Sequence, residues 1–168
     1  DTADGVIAGA SLTYSQSVLA KAPKLKVVAR AGIGFDNVVL TDATSLGIAI
    51  CNTPDGPTIS TAEHALALIL SVSKDLNESQ GRLRRQEGNY GLQHRAIELD
   101  GASLALIGLG RIGSRVAQFA VAMGMRVTAY DPFEAAERFE DLGVERASNL
   151  HDAVSSAHIV SIHAPLTP

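Results

Sequence analysis

Three glycines, Gly108, Gly110 and Gly113, follow the apolar run at 103–107 and precede a helical pattern. Each has its own use in a loop that holds a diphosphate. Gly108 lets the chain turn hard out of the strand. Gly110 lets the backbone approach the pyrophosphate, because a Cβ there would collide with it. Gly113 lets the next helix pack close to the strand. The helix that opens here offers amide donors and a partial positive charge to phosphates. A second strand pattern at 126–130 ends in Asp131, whose carboxylate can accept from both ribose hydroxyls and would repel a 2′-phosphate. Pro132 and Phe133 follow, with no adjacent Arg to hold such a phosphate, so NAD is favoured over NADP. Two readings fit Arg111: a side chain beside the pyrophosphate, or a solvated first helical residue.

A second glycine loop, residues 30–37 (RAGIGFDN), also follows a strand pattern. Its exposed amides could hold a carboxylate, and a plain tight turn fits it as well. The five histidines, His64, His94, His151, His158 and His163, have no evident partner constellation in sequence. They read as surface or packing residues. No Gly-x-Ser-x-Gly elbow is present, which removes support for a serine hydrolase.

The elements that must carry these loops alternate. Strand patterns fall at 6–8, 26–29, 47–51, 103–107, 126–130 and 159–162. Helical patterns fall at 15–22, 41–46, 60–85, 111–123, 133–142 and 150–156. The strands are nearly continuous apolar runs, as in a parallel sheet covered on both faces, so the expected class is α/β. Pro54 and Pro57 flank Asp55 and Gly56 and mark a boundary. Ser60 and Glu63 have capping-box spacing for the longest helix.

At 168 residues the chain is one domain or parts of two. Its net charge of −4 and 4% aromatic content argue against nucleic acid as the main partner. No apolar run approaches a membrane span. A single cysteine, Cys51, excludes an internal disulfide framework and a multi-cysteine metal site, and suits a reducing cytoplasm. The abrupt ends suggest a piece of a longer protein.

Beyond the glycine loop, the chain resembles the D-isomer-specific 2-hydroxyacid dehydrogenases. The resemblance is carried by residues 30–38 (RAGIGFDNV), 47–54 (GIAICNTP), 60–64 (STAEH), 99–101 (LDG), 106–113 (LIGLGRIG), 124–125 (GM), 130–132 (YDP) and 160–167 (VSIHAPLT), in the family's order. It implies a Rossmann-like doubly wound parallel sheet beside part of a second, flavodoxin-like substrate domain. Residues 1–53 would be the later part of the substrate domain, and 54–168 the N-terminal part of the NAD-binding domain.

By the same resemblance the cofactor is NAD, and the backbone at Ile33 and Gly34 holds the substrate carboxylate with Ile33 near the nicotinamide. Arg30 is a further substrate-side candidate. Thr61 touches the cofactor, Arg111 and Ile112 lie at the pyrophosphate, and Ala164 and Pro165 cover the adenosine side. No metal is implied. The family's Arg, Glu and His lie beyond Pro168, so no catalytic residue is expected in this chain, and the 168 residues alone are expected to be inactive. Gly9 stands where phosphoglycerate dehydrogenases of the family usually carry an Arg. That weighs against a substrate phosphate while the retained Arg30 weighs for one, so the expected substrate is a small D-2-hydroxy or 2-oxo acid, with glyoxylate and hydroxypyruvate ahead of a phosphoglycerate-like acid. The parent would be a cytoplasmic homodimer. The alternative is an NAD-sensing, non-catalytic scaffold of the C-terminal-binding protein type.

Overall fold

A computed structural model of the protein describes residues 2–88 and 95–165; His94 lies outside them. The chain divides into two compact units, Asp1–Thr58 and Ile59–Pro168.

In the first unit, β1 (Gly5–Ala8), β2 (Val27–Arg30) and β3 (Ala49–Asn52) form a parallel sheet in that order, with α1 (Gln16–Leu19) and α2 (Leu40–Ser45) between them. The register aligns Ala8, Arg30 and Asn52 across the strand ends. Ala8, Leu19, Val28, Ala43 and Ile48 make the core. Both helices contribute to this one cluster, through Leu19 and Ala43, while Ile7 on the other sheet face is 81% exposed. The strand predicted over 47–51 starts later, because Gly47 ends α2. Its φ is +68°, and the bonds Gly47 N–H to Thr44 O and Ile48 N–H to Ala43 O close the helix in a Schellman turn.

The second unit holds most of α3 (Thr58–Ser73), then α4 (Leu76–Arg84), β4 (Ser103–Ile107), α5 (Arg111–Ala122), β5 (Arg126–Tyr130), α6 (Ala136–Leu142), β6 (Glu145–Arg146), α7 (Leu150–Val154) and β7 (Ile159–Ile162). The strands are parallel, in the order β6-β5-β4-β7. Strand order reverses at β4, and the crevice at such a switch point is where open α/β sheets place ligands. Leu104, Ala105 and Leu106 of β4 are buried on both faces and join Val116, Ala117, Ala120 and Phe139 in the core or beside it. The expected fold class, α/β with parallel sheets, is the observed one.

Three boundaries differ for identifiable reasons. The helix predicted over 60–85 is two helices. Ser73 O, which a continuing helix would use, accepts from Ile97 N–H at 2.8 Å, and Asp75 turns left-handed at φ 49°. The capping-box reading also fails: α3 starts at Thr58, directly after Pro57, so Ser60 sits inside the helix. Finally, α6 starts at Ala136 rather than 133. The Asp131 carboxylate takes the Phe133 amide at 2.9 Å, an Asx-type turn that competes with helix.

Candidate functional site

In the second unit, β4 delivers its C-terminal end into the glycine loop. Gly108 adopts φ +94°, and a Cβ on it would sit 2.8 Å from the carbonyl carbon of His163 and 2.9 Å from Ala164 N. The loop after β7 therefore lies directly against Gly108, which brings Ala164 to the site, with Pro165 next in chain. A Cβ on Gly113 would lie 2.1 Å from Gly108 O. On Gly110 it would meet nothing within 4 Å. Gly113 thus lets the turn close against Gly108, Gly108 admits the loop after β7, and Gly110 faces open space that a diphosphate can use. Gly110 is also the N-cap of the 12-residue α5, whose first-turn amides have no intrahelical acceptors. These features fit a dinucleotide pyrophosphate.

Asp131, just past β5, accepts from Leu109 N–H at 2.8 Å through Oδ2 and from Phe133 N–H at 2.9 Å through Oδ1. It ties the second strand to the glycine loop. Each carboxylate oxygen keeps a lone pair for a ribose hydroxyl. Ile112 packs its side chain on the core, so its contribution to a ligand is its amide, while Arg111 is exposed at the helix start. Thr61 is exposed on α3.

Sequence reading missed one neighbour. A cavity of about 380 Å³ is lined by Tyr130, Asp131, Pro132, Arg146, Ala147 and Ser148. The two-residue β6 pairs Arg146 with Ala129 and so carries an arginine to the Asp131 pocket from 15 positions along the chain (146 − 131).

In the first unit the loop after β2 is stitched to the end of β3. Thr53 Oγ1 accepts from Gly32 N–H at 2.8 Å, Thr53 N–H donates to Gly32 O at 3.0 Å, and Asn52 Nδ2 donates to Ile33 O at 2.9 Å. With that carbonyl taken, peptide planarity turns the Gly34 amide the opposite way. Arg30 folds back on the loop: its guanidinium donates to Ala31 O and to Asn37 Oδ1, the latter at 3.3 Å. Asn37 in turn donates to Gly9 O and Leu12 O. Arg30 braces the turn that holds Ile33 and Gly34.

Of the described histidines, His64 and His151 are exposed. His158 corrects the reading of a partnerless residue: its Nδ1 lies 2.6 Å from Ser103 Oγ and accepts from Ser103 N–H at 3.1 Å. The partner is 55 positions away, brought alongside by β4–β7 pairing. His163 is half-buried, its Nε2 2.9 Å from Ser161 Oγ, and burial pushes its pKa below 6.5. Above pH 6.5 it is neutral folded and unfolded. As pH falls through 6.5 the unfolded chain takes the proton first, so stability falls until pH passes below the folded value. Urea midpoints of wild type and His163→Asn should diverge across that window, with the variant less sensitive to acid. Parallel curves would contradict the assignment.

Among the described residues, no three His, Cys, Asp or Glu side chains gather as a metal site. Among them, too, no helix is long and apolar enough to cross a membrane.

The chain is similar to D-3-phosphoglycerate dehydrogenases. It is 37% identical over 166 residues to that of Methanocaldococcus jannaschii, covering 99% of this chain and 32% of the relative. It is 41% identical over 166 residues to that of Mycobacterium bovis, covering 99% and 31%. The chain thus spans about a third of the length of these curated relatives. Its structure is similar to D-lactate dehydrogenase from Aquifex aeolicus complexed with NAD and lactic acid, with a TM-score of 0.88, 30% identity, and coverage of 98% of this chain and 49% of that one. The holo form of Rhodotorula graminis D-mandelate dehydrogenase gives a TM-score of 0.89 at 28% identity, covering 99% and 52%. Residues 66–168 match the family described as D-isomer specific 2-hydroxyacid dehydrogenase, NAD binding domain. The chain belongs to the D-isomer specific 2-hydroxyacid dehydrogenases, and residues 66–168 are its match to their NAD binding domain.

Proposed function

We propose that the whole protein carrying this chain is an oxidoreductase that moves a hydride between NAD(H) and a small D-2-hydroxy acid or 2-oxo acid. NAD, when bound, supplies the hydride carrier. Residues 54–168 hold its adenosine diphosphate part: the amides of the Gly108–Gly113 turn and Arg111 take the pyrophosphate, Asp131 takes the ribose hydroxyls, and Ala164 and Pro165 close the adenosine side. Residues 1–53 are the later part of the substrate domain, where the Ile33 and Gly34 amides hold the substrate carboxylate and Arg30 fixes the turn. Thr61 remains a cofactor-side residue in this reading. Acid–base catalysis comes from the family's Arg, Glu and His, outside these 168 residues, so the chain alone binds NAD without turnover. The protein is a homodimer of the cytoplasm in this reading; exposed Leu68 and Val72 on α3 support a subunit contact.

One observation carries the cofactor assignment. A turn closed by Gly108 and Gly113, open at Gly110, is tied through Leu109 to the carboxylate of Asp131. Gly9, whose Cβ position is open, offers no side chain to a substrate phosphate, which supports glyoxylate or hydroxypyruvate over a phosphoglycerate-like acid. Calorimetric titration of the chain should give tighter binding of NAD+ than of NADP+; tighter NADP+ binding would refute the assignment. Assays of the whole protein with glyoxylate, hydroxypyruvate and 3-phosphoglycerate decide the substrate, and a preference for the last would overturn the Gly9 argument.

A further inference from the structure

The proposal that follows rests on the cofactor reading above and deepens it. Selectivity against a 2′-phosphate can arise in two ways: no cation is near the ribose, or a cation is near and a carboxylate overrides it. The sequence suggested the first, since Pro132 and Phe133 follow Asp131. The fold replaces it with the second.

The strand β6 is only two residues long, but its pairing fixes its level beside β5. Arg146 stands opposite Ala129, and Ala147 N–H continues the ladder to Ala129 O at 2.9 Å. The chain then runs past the end of β5, and Arg146 and Asp131 line the same cavity of about 380 Å³. Among its six lining residues Arg146 is the one cation. Of the two hydroxyl residues in the lining, Tyr130 and Ser148, both are neutral, and the Ser148 hydroxyl is engaged, 2.5 Å from Asp152 Oδ2. The guanidinium carbon of Arg146 sits over the Phe139 ring, 5.1 Å from its centroid. Contact through the guanidinium face leaves the in-plane N–H donors available to an anion. Phe139 is itself buried, at 2% exposure, so the platform under the arginine is rigid.

We propose that Arg146 is a latent anchor for the 2′-phosphate of NADP, and that Asp131 alone makes the site NAD-selective. The carboxylate accepts ribose hydroxyls and repels a phosphate dianion at the same position. With that charge removed, the guanidinium becomes the dominant local charge and binds the phosphate through its donor fork. One substitution should therefore relax or invert the preference, without an arginine being introduced.

The test measures NAD+ and NADP+ affinities of the chain by calorimetry and follows their ratio. Asp131→Asn keeps a side-chain acceptor for Leu109 N–H and is the primary variant; Asp131→Ser is the second. Either should shift the ratio toward NADP+ at least tenfold. In the Asp131→Asn background, Arg146→Gln should remove most of that shift, and Arg146→Lys should retain part of it through charge alone. An unchanged shift in the Asp131→Asn/Arg146→Gln variant would overturn the role of Arg146. No shift in either Asp131 variant would overturn it as well. If unmodified chain binds neither nucleotide, the cofactor reading itself fails, and this proposal with it; NAD+ binding with an unmoved ratio sinks the proposal alone.

Discussion

Gly113→Ala is expected to lower the unfolding free energy by about 3 kcal/mol or more and to abolish measurable NAD+ binding. The added carbon would lie 2.1 Å from Gly108 O. The obstacle is backbone, so no side-chain rotation relieves it, and the turn and α5 must part. Since a domain is held by roughly 5–15 kcal/mol, this is a large fraction of the total. Gly110→Ala separates the two effects. Its Cβ meets nothing within 4 Å, so stability should change by less than about 1 kcal/mol, while NAD+ affinity falls at least tenfold because the methyl occupies ligand space. Urea denaturation and calorimetry on both variants check this. A Gly113→Ala protein as stable as wild type would show that the loop is not closed on itself.

Phe139→Ala should cost about 3–5 kcal/mol, the usual range for emptying a buried phenylalanine site. Phe139 is 2% exposed in the main core cluster, and its carbonyl accepts from Val144 N–H at 2.9 Å, which helps turn α6 into β6. Truncation leaves a void under that turn and removes the ring beneath Arg146. Phe133→Ala is the matched control: at 95% exposure it should change stability by less than about 0.5 kcal/mol. Thermal unfolding of both distinguishes them, and a small effect at Phe139 would contradict the core described here.

Where hydrophobic pattern and hydrogen bonding agree, the elements could be read directly. The strands β4, β5 and β7 have the predicted bounds, because each is a short run rich in apolar or β-branched residues between turn formers. Asp75 shows the opposite case. Nothing in the local pattern stops the long helix there; the stop comes from Ile97, more than twenty residues on, capturing the Ser73 carbonyl. The pattern also hid β6, since two residues carry no periodicity. The glycine roles were legible because steric demands at a turn are local. The tie from Leu109 to Asp131, the pairing of Ser103 with His158 and the approach of Arg146 were not, because each depends on which strands become neighbours.

The bond from Leu109 N–H to Asp131 has a kinetic consequence. A phosphate loop that orders only around its ligand loses conformational freedom at the moment of binding, which slows capture and weakens affinity. Here the loop is anchored to the end of β5 beforehand, so that freedom is lost when the domain folds. Nucleotide capture then needs no prior rearrangement of the loop, and stopped-flow association should be a single phase whose rate rises linearly with NAD+ concentration.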